Sequence, residues 1–262
     1  ALDNHDLRLV YQPQFDMRSG ALSGFEALSR WDLDDHGPVS PEEFIPLAEA
    51  RGLIRPLTEW VVNEACAQMA LWQSLKLVDD HVTMGVNISP QHAQEEGFVS
   101  LIAAALARSR LPAVNLELEL TESVMMEGID KRLELINSLD QLGARIAIDD
   151  FGKGYSSLSR LAKLPVDTIK IDRDFLRGVP YSLRDCAVAR SIIALGDGLN
   201  MQVLAEGVET TAQKVFLKEA GCQLVQGYLY SEPLTAAECV EFLKSRLNDA
   251  NGSAQSNHAA SE

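Results

Sequence analysis

The chain has 262 residues, of which 46% are hydrophobic, and carries a formal net charge of −15. This length and composition allow one large core, whereas the acidic balance argues against a nucleic acid polymer as partner, because such polymers bind to basic faces. The four cysteines form no CxxC pair, which predicts free thiols in a reducing compartment, and the longest apolar stretch, LIAAALA, is far short of the ~20 residues that span a bilayer.

Strand-like and helix-like segments alternate along the chain, which is typical of a parallel-stranded α/β fold. The first two strands, LRLVYQPQF and LSGFEALSRW, are joined by the short segment DMRSG, so the first strand should run antiparallel to the second. Helices are predicted for SPEEFIPLAEARG, with Ser40 as N-cap and Pro41 as first helical residue, and for TEWVVNEACAQMALWQSL. Further helices are predicted at 98–108, about 128–142, 156–163, 183–198, 210–220 and 235–247. With about eight strands, the predicted fold class is α/β, a TIM-type (β/α) barrel modified by its antiparallel first strand.

We expect one domain, because no linker rich in proline, serine or glycine divides the chain. The barrel is predicted to occupy residues 1–247, and residues 248–262, small and polar with no apolar period, are predicted to be a disordered C-terminal tail. Because the sequence enters a strand pattern soon after Ala1, we expect it to be a piece of a longer protein, with any sensor or membrane anchor outside it.

Polar side chains stand at the downstream ends of the short apolar strand segments. These residues are Glu26, Asn87, Glu119, Asp149, Asp150, Lys170 and Glu206. In a TIM-type barrel such strand ends meet at one face. A buried, unpaired carboxylate is costly, so five clustered acids predict bound cations, and their hard oxygen ligands suit Mg²⁺ or Mn²⁺ better than Zn²⁺.

Strand alternation predicts which neighbours share a face. It places a carboxylate and a guanidinium, Glu26 and Arg30, on the same side, and it does the same for Lys170 and Asp172. Glu117 lies two residues deeper than the strand end, so we expect it to form a structural ion pair with a residue such as Arg145.

The adjacent acids Asp149 and Asp150 cannot both face inward from a continuous strand. We therefore expect the strand to end there, and the following loop, FGKGYSS, to turn the second acid toward the first.

A series of motifs runs from Gln12 to Pro233. The motifs are Glu26-Ala27-Leu28 with Arg30, Asn87 in NIS, Glu119 and Glu122 in ELTES, DDFGKGYSSL from Asp149, Lys170 and Asp172 in KID, Glu206 and Glu209 in AEGVET, and Gln226-Gly227-Tyr228. In this order they resemble the EAL domain family of cyclic di-GMP phosphodiesterases. Lys153 stands where this loop more often has Thr, and Ile88 replaces a usual Leu. Neither is a metal-binding position, so the resemblance implies an intact site.

The resemblance implies a bacterial signalling hydrolase that opens cyclic di-GMP to linear pGpG, with two Mg²⁺ or Mn²⁺ ions, as a cytoplasmic homodimer. The implied metal ligands are Glu26, Asn87, Glu119, Asp149, Asp150 and Glu206, with Asp149 bridging the ions and Asp150 on the second. The implied catalytic residues are Lys170, Glu209, Gln226 and Glu122, of which Lys170 serves the attacking water or the developing charge. The implied substrate contacts are Gln12, Leu28, Arg30, Asp172 and Pro233, with Arg30 on a phosphate.

Glu122 lies past the strand end, where it can no longer face the barrel interior beside Glu119. Its natural partners are backbone N–H groups of the glycine-rich loop that begins at Asp149. In the family this loop is linked to dimer contacts, so we expect Glu122 to hold Asp150 on the second metal and to couple self-association to activity.

Three alternatives compete with this interpretation. Enolase-type barrels also surround Mg²⁺ with acids and a lysine, but they carry an N-terminal capping domain that is absent from this sequence. The His-Asp class of cyclic-dinucleotide hydrolases is disfavoured because the five histidines lie outside the motifs. A receptor that binds cyclic di-GMP without turnover stays open.

Overall fold

The computed structural model describes residues 6–33, 37–126, 129–154 and 158–259. Within these ranges the strands form one closed sheet with a short strand at its edge. The strands are β1 (Leu7–Asp16), β2 (Leu22–Leu33), β3 (Gly37–Val39), β4 (Thr83–Asn87), β5 (Leu116–Thr121), β6 (Arg145–Phe151), β7 (Thr168–Ile171), β8 (Gln202–Ala205) and β9 (Leu224–Val225).

The sheet closes into a barrel because β1 pairs with both β2 and β9. Both of these pairings are antiparallel, whereas β2 and β4 through β9 follow one another in parallel. The tight β1–β2 connection explains the reversal, since a short hairpin can join only antiparallel strands. The modified TIM-type barrel is therefore confirmed, and β3, which the sequence did not predict, pairs with the outer part of β2.

Helices fill most of the connections and cover the outside of the barrel. They are α1 (Pro41–Ala50), α2 (Ile54–Ser74), α3 (Pro90–Ala93), α4 (Phe98–Ser109), α5 (Glu122–Met126), α6 (Ile129–Leu142), α7 (Leu158–Leu161), α8 (Leu183–Gly198), α9 (Thr211–Ala220) and α10 (Ala236–Ala259). The Ser40 hydroxyl accepts from the Glu42 N–H, and Pro41 opens α1, as predicted. Of the helix predicted at 156–163, residues 156 and 157 lie outside the described residues, as does residue 128 at the start of the helix predicted before it.

The C-terminal segment differs from the prediction. The sequence predicted disorder from residue 248, but α10 continues to Ala259, and residues 260–262 lie outside the described ranges. Residues 248–259 contain no apolar side chain larger than alanine. Their helical backbone therefore extends the preceding turns, where helix propagation costs less than a new nucleus, and the end of the barrel domain at residue 247 stays a prediction.

Two further expectations concern the whole chain. All four cysteines are free thiols, as predicted. Among the described residues no helix combines the length and the apolar character needed to cross a membrane.

Side chains of β5 alternate between the barrel interior and the helical layer. Leu116, Leu118 and Leu120 are buried toward the helices, and the intervening Glu117 and Glu119 are buried in the interior. The deeper acid meets the predicted partner, because the Arg145 guanidinium lies 3.6 Å from Glu117 Oε1.

Two hydrogen bonds cross the barrel interior from β7 to β5, and we call this pair the cross-barrel ladder. The Thr168 hydroxyl donates to Glu117 Oε1 at 2.7 Å, and the Lys170 ammonium donates to Glu119 Oε2 at 2.6 Å. Ala147 of the intervening β6 is in register with Glu119 and Thr168, so it faces the same interior. Its small side chain leaves space for both bonds.

Candidate active site

Four carboxylates surround one ammonium at the C-terminal end of the barrel strands. Lys170 Nζ lies 2.6 Å from Glu119 Oε2 and 2.8 Å from Glu206 Oε1. It also lies 3.6 Å from Glu26 Oε1 and 3.7 Å from Asp149 Oδ1. These side chains come from β2, β5, β6, β7 and the residue that follows β8. The structure thus brings together five of the seven strand-end residues that the sequence singled out.

Glu26 is the carboxylate with the most hydrogen bonds in this group. Asn87 Nδ2 donates to its Oε1 at 2.7 Å, and Gln226 Nε2 donates to its Oε2 at 2.5 Å. Burial opposes ionisation, but the charge of Lys170 and these two amides outweigh it, so the pKa of Glu26 is lowered. In the metal-free protein, this lowered pKa favours the ionised form of Glu26.

Glu119 and Glu206 are shifted in the opposite direction. Burial raises the pKa of Glu119 well above its usual range, although Lys170 opposes this. Burial also raises the pKa of Glu206 to about 8, with the neighbouring Asp149 and Glu26 adding to the shift. The pKa of Lys170 is raised because its surrounding acids outweigh its burial. Glu119 and Glu206 therefore keep their protons to a higher pH than free carboxyl groups do, because one ammonium does not offset both the burial and the mutual repulsion of these acids.

One carboxylate oxygen of Glu119 has no hydrogen-bond partner among the described residues. This atom, Oε1, is buried. Gly85 permits this position of the carboxylate, since a β-carbon there would collide with Glu119 Oε1. A buried acceptor without a donor is costly, and a cation at this oxygen would satisfy it.

The two adjacent acids are separated by a bulge in β6. The strand does not end at Asp149 as predicted but continues to Phe151, with a register shift between Ile148 and Phe151. Asp150 has a φ of 55°, and its backbone N–H donates to Asp149 Oδ1 at 2.8 Å. A bulge inserts an extra residue and re-aims a side chain, so it separates the acids while the strand continues.

A chain of three glutamines supports Glu26 from the side of β1. Gln226 Nε2 donates to Gln12 Oε1 at 3.0 Å as well as to Glu26, and Gln14 Nε2 donates to Gln226 Oε1 at 2.9 Å. Gln14 therefore fixes which end of the Gln226 amide faces the acid. Sequence reasoning missed Gln14, although its spacing of two from Gln12 places both on one face of β1.

Asp150 and Asp172 are linked by Lys153, which sequence reasoning treated only as a departure from the family pattern. Lys153 Nζ lies 2.8 Å from Asp150 Oδ1 and 2.8 Å from Asp172 Oδ2. Asp172 lies just past β7, where its Oδ1 accepts from the Asp174 N–H at 2.8 Å. In this structure Asp150 and Asp172 thus share one ammonium, whereas Lys170 lies among the other acids.

Glu122 makes the contact with the loop that the sequence predicted. Its Oε2 accepts from the backbone N–H groups of Gly152 at 2.8 Å and of Gly154 at 3.0 Å. A β-carbon at residue 154 would lie 2.9 Å from Glu122 Oε1, so glycine permits this close approach. Residues 155–157 of the same loop lie outside the described ranges, and the coupling of Glu122 to self-association stays a prediction.

Four of the five predicted substrate contacts lie on or next to β1 and β2, whereas Asp172 follows β7. Arg30 and Leu28 are partly buried on β2, and Arg30 Nη1 donates to the Ser29 carbonyl at 2.8 Å. Gln12 donates to the Ser231 carbonyl at 3.1 Å, and Pro233 is partly buried close by in sequence.

Glu209 is placed differently from the other predicted catalytic residues. Its side chain is exposed, and its backbone N–H donates to Gln213 Oε1 at 2.9 Å. That glutamine also forms the capping box of α9 with Thr210. The described contacts of Glu209 are therefore those of a helix start, and its catalytic role stays a prediction.

The acids suit a divalent cation chemically, but they are not arranged around one. In the described part of the chain, no three Asp, Glu, His or Cys side chains are positioned to hold a metal ion. The carboxylates converge on Lys170 instead. The oxygen donors and the unpartnered Glu119 Oε1 nevertheless fit Mg²⁺ or Mn²⁺, provided that the carboxylates shift away from the ammonium.

Comparisons with known proteins agree on one family. The model of the EAL domain matches residues 1–233. NbdA of Pseudomonas aeruginosa, named a cyclic di-GMP phosphodiesterase, is 42% identical over 251 residues, which cover 95% of this chain and 32% of that protein. MucR of the same organism, named a bifunctional diguanylate cyclase/cyclic di-GMP phosphodiesterase, is 42% identical over 238 residues, covering 91% of this chain and 34% of that protein.

A solved structure supports the same conclusion. The PaMucR phosphodiesterase in complex with c-di-GMP matches with a TM-score of 0.87 and 42% identity, over 91% of this chain and 96% of that chain. The chain spans about a third of the length of the curated relatives it matches. With its barrel, its strand-end acids and these likenesses, the chain belongs to the EAL domain family.

Proposed function

We propose that this chain is a cyclic di-GMP phosphodiesterase that hydrolyses one phosphodiester to give linear pGpG. The observation that carries the proposal is the group of four carboxylates around Lys170 at the C-terminal mouth of an EAL barrel. Active groups of TIM-type barrels lie at this end. Two of the similar proteins are named for this activity, and one similar structure holds c-di-GMP.

The residues proposed to hold two divalent ions are Glu26, Asn87, Glu119, Asp149, Asp150 and Glu206. When they are ionised, the five acids, Lys170 and two divalent ions sum to zero net charge. A neutral pocket admits an anionic phosphodiester, whereas five unbalanced acids would repel it. Bound Mg²⁺ or Mn²⁺ supplies the lowered pKa of a water molecule and the neutralisation of phosphate oxygens.

The chain's own side chains have distinct proposed roles around that chemistry. Lys170 sits in the centre of the acids, where its ammonium stabilises an oxygen that gains negative charge. Arg30 lies toward the rim, where a guanidinium can hold a phosphate in a fixed orientation. Gln12, with Leu28, Asp172 and Pro233, is proposed to line the nucleotide pocket. Gln226 and Glu122 act through other residues, the first on Glu26 and the second on the loop that follows Asp150.

The proposal extends to the protein in its cell. Because the chain spans only part of its relatives, we propose that it works as one domain of a longer protein. There it would lower the level of a bacterial second messenger in the cytoplasm, as a homodimer, under control of a sensor domain. Cyclic di-GMP, a small anionic dinucleotide, would be its substrate.

A non-catalytic cyclic di-GMP receptor is the second candidate. The observation that favours it is the position of Lys170, whose ammonium takes the place among the acids that a cation would need. In a receptor, Lys170 would stay there as a permanent counter-ion, and ligand binding would leave the phosphodiester intact.

Chromatography of cyclic di-GMP incubated with the chain and Mn²⁺, Mg²⁺ or excess chelator distinguishes the two. We expect pGpG with either ion and none with chelator. Glu26→Gln should lower the rate by several orders of magnitude, whereas Glu219→Gln, which changes an exposed acid of α9, should not. Binding of cyclic di-GMP without pGpG under any metal condition would favour the receptor, and full turnover in chelator would contradict the two-metal mechanism.

A further inference from the structure

Lys153 brings a positive charge of the chain itself to the edge of the candidate metal site. Its ammonium bonds Asp150 Oδ1 and Asp172 Oδ2, each at 2.8 Å, and lies 3.9 Å from Asp174 Oδ2. The Lys153 side chain is 44% exposed and Asp172 is 9% exposed. The ammonium thus lies at the opening of the barrel, with one partner buried and one partner at the surface.

The backbone around Lys153 is fixed on both sides. Glu122 Oε2 accepts from the N–H groups of Gly152 and Gly154, the two residues that flank Lys153. Gly152 has a φ of 104°, and the Lys153 N–H donates to the Asp150 carbonyl at 3.3 Å. This short turn directs the lysine side chain back over the bulge that contains Asp150. The contact between Lys153 and Asp150 is therefore a product of the loop geometry.

A metal ion and an ammonium cannot share the Asp150 carboxylate without a cost. Like charges a few ångströms apart repel, and the repulsion is larger at a partly buried site than in bulk water. A threonine, which the family resemblance gives as the more usual residue at this position, carries no charge. The positive charge of Lys153 should therefore weaken the binding of a cation at Asp150.

From this geometry we propose that Lys153 is a built-in counter-cation that competes with a divalent metal ion for Asp150, so that this chain needs a higher metal concentration to fill the site. The inference rests on the proposed function, because it takes Asp150 as a metal ligand. Before the ion binds, Lys153 holds Asp150 and Asp172 together. When the ion binds Asp150, the lysine withdraws to Asp172 or to solvent, which its exposed position allows.

Mn²⁺ titration of the purified, metal-stripped chain tests this proposal without substrate. The electron paramagnetic resonance signal of free aqueous Mn²⁺ reports the bound fraction for the wild type, Lys153→Thr, Lys153→Arg and Lys163→Thr. Lys153→Thr should lower the dissociation constant of the weaker ion by roughly 2- to 5-fold, the effect of one partly exposed ion pair. Lys153→Arg keeps the charge and should bind as the wild type does. Lys163→Thr removes the same charge from an exposed position before β7 and should have no effect.

The possible results separate this proposal from the phosphodiesterase function. Equal or weaker Mn²⁺ binding by Lys153→Thr overturns the competition, and so does a Lys153→Arg variant that binds as tightly as Lys153→Thr. Absence of a second bound ion in every variant overturns it as well. If the wild type releases no pGpG at saturating Mn²⁺, the proposed function fails, while the Mn²⁺ affinities still decide whether Lys153 competes. If pGpG is released, Lys153→Thr should also reach half its maximal rate at a lower Mg²⁺ concentration.

Discussion

The Lys170 ammonium donates to Glu119 Oε2 at 2.6 Å, and both side chains are shielded from solvent. Removal of one partner from a buried ion pair leaves an uncompensated charge. In chelator, Lys170→Met should therefore lower the free energy of unfolding by about 3–5 kcal/mol, measured by urea denaturation. Lys163→Met, at an exposed site, should change it by less than about 0.5 kcal/mol.

The same variant separates catalysis from binding. Because Lys170 faces the centre of the acids, Lys170→Met should lower kcat by about 10²- to 10³-fold, with a modest change in the Kd of cyclic di-GMP measured by calorimetry. A lost affinity with a preserved kcat would instead make Lys170 a binding residue.

Arg30 should show the opposite pattern. A guanidinium at the rim suits a phosphate contact that is present in both the bound substrate and the transition state, so Arg30→Ala should raise KM and leave kcat nearly unchanged. Steady-state kinetics on cyclic di-GMP measure this. Arg8 is in register with Arg30 on β1 and pairs with Asp32 at 2.6 Å, so Arg8→Ala is the matched control. A fall in kcat with constant KM would place Arg30 in the chemical step.

Glu122→Ala should loosen the loop that carries Lys153. The change removes both bonds to the Gly152 and Gly154 N–H groups, and broken hydrogen bonds to a buried charge cost about 1–3 kcal/mol. The misplacement of Asp150, a proposed metal ligand, should outweigh the weaker competition from Lys153. We therefore expect a higher Mg²⁺ requirement, a lower kcat and a weaker dimer, measured by metal titration and by light scattering after gel filtration. Ser123→Ala changes the adjacent exposed residue and is the control. Unchanged metal dependence, rate and assembly would show that Glu122 has no part in positioning the loop.

Gln14→Leu tests the glutamine chain behind Glu26. The substitution removes the donor to Gln226 Oε1 and leaves that buried acceptor unsatisfied, at a cost of about 1–3 kcal/mol. Without this hydrogen bond, the Gln226 amide is no longer held with its Nε2 atom toward Glu26. Mn²⁺ affinity should therefore fall along with thermal stability. Gln14→Glu offers an acceptor where a donor is needed and should be no better. Wild-type Mn²⁺ affinity in a destabilised Gln14→Leu variant would restrict Gln14 to packing.

The metal-free chain should lose stability as the pH rises toward 8. Burial raises the pKa of Glu206 from 4.5 to about 8, so between these values the folded chain binds more protons than the unfolded chain. The contribution of Glu206 to stability is complete below pH 4.5 and is lost as the pH rises through about 8, with a slope of at most about 1.4 kcal/mol per pH unit. Urea denaturation in chelator at several pH values measures the slope, and Glu206→Gln should reduce it. An unchanged slope in that variant would assign the effect to other groups.

The barrel architecture could be predicted from the sequence because its strands and helices show local patterns of apolar residues. The alternation of Glu117 and Glu119 with leucines was enough to place both acids inside β5 and to pair Glu117 with Arg145. The tight first connection likewise implied an antiparallel β1. These features depend on neighbours in sequence, which a reader of the sequence can see.

Other features of the site depend on groups that are distant in sequence. Gln14 meets Gln226 only after the barrel closes, and Lys153 reaches Asp172 only through the turn that Glu122 holds. The sequence also did not predict the bulge at Asp150. A left-handed backbone conformation at a non-glycine residue has no reliable local signal in the sequence. The sequence also did not show that Lys170 would lie among four acids from other strands, and its predicted role toward the attacking water stays a prediction.

The cross-barrel ladder also affects how the chain reaches its fold. A slip of two residues between strands preserves the inward and outward pattern, so hydrophobic burial alone does not reject it. Such a slip of β7 would move Lys170 away from Glu119 and set Thr168 against it, leaving a buried carboxylate without its ammonium. The cost of an unpaired buried charge is several kcal/mol, comparable to a large part of the stability of a domain. The polar interior therefore favours the native strand register over a register shifted by two residues. A variant in which these acids are neutralised would lose this discrimination and would misfold more readily.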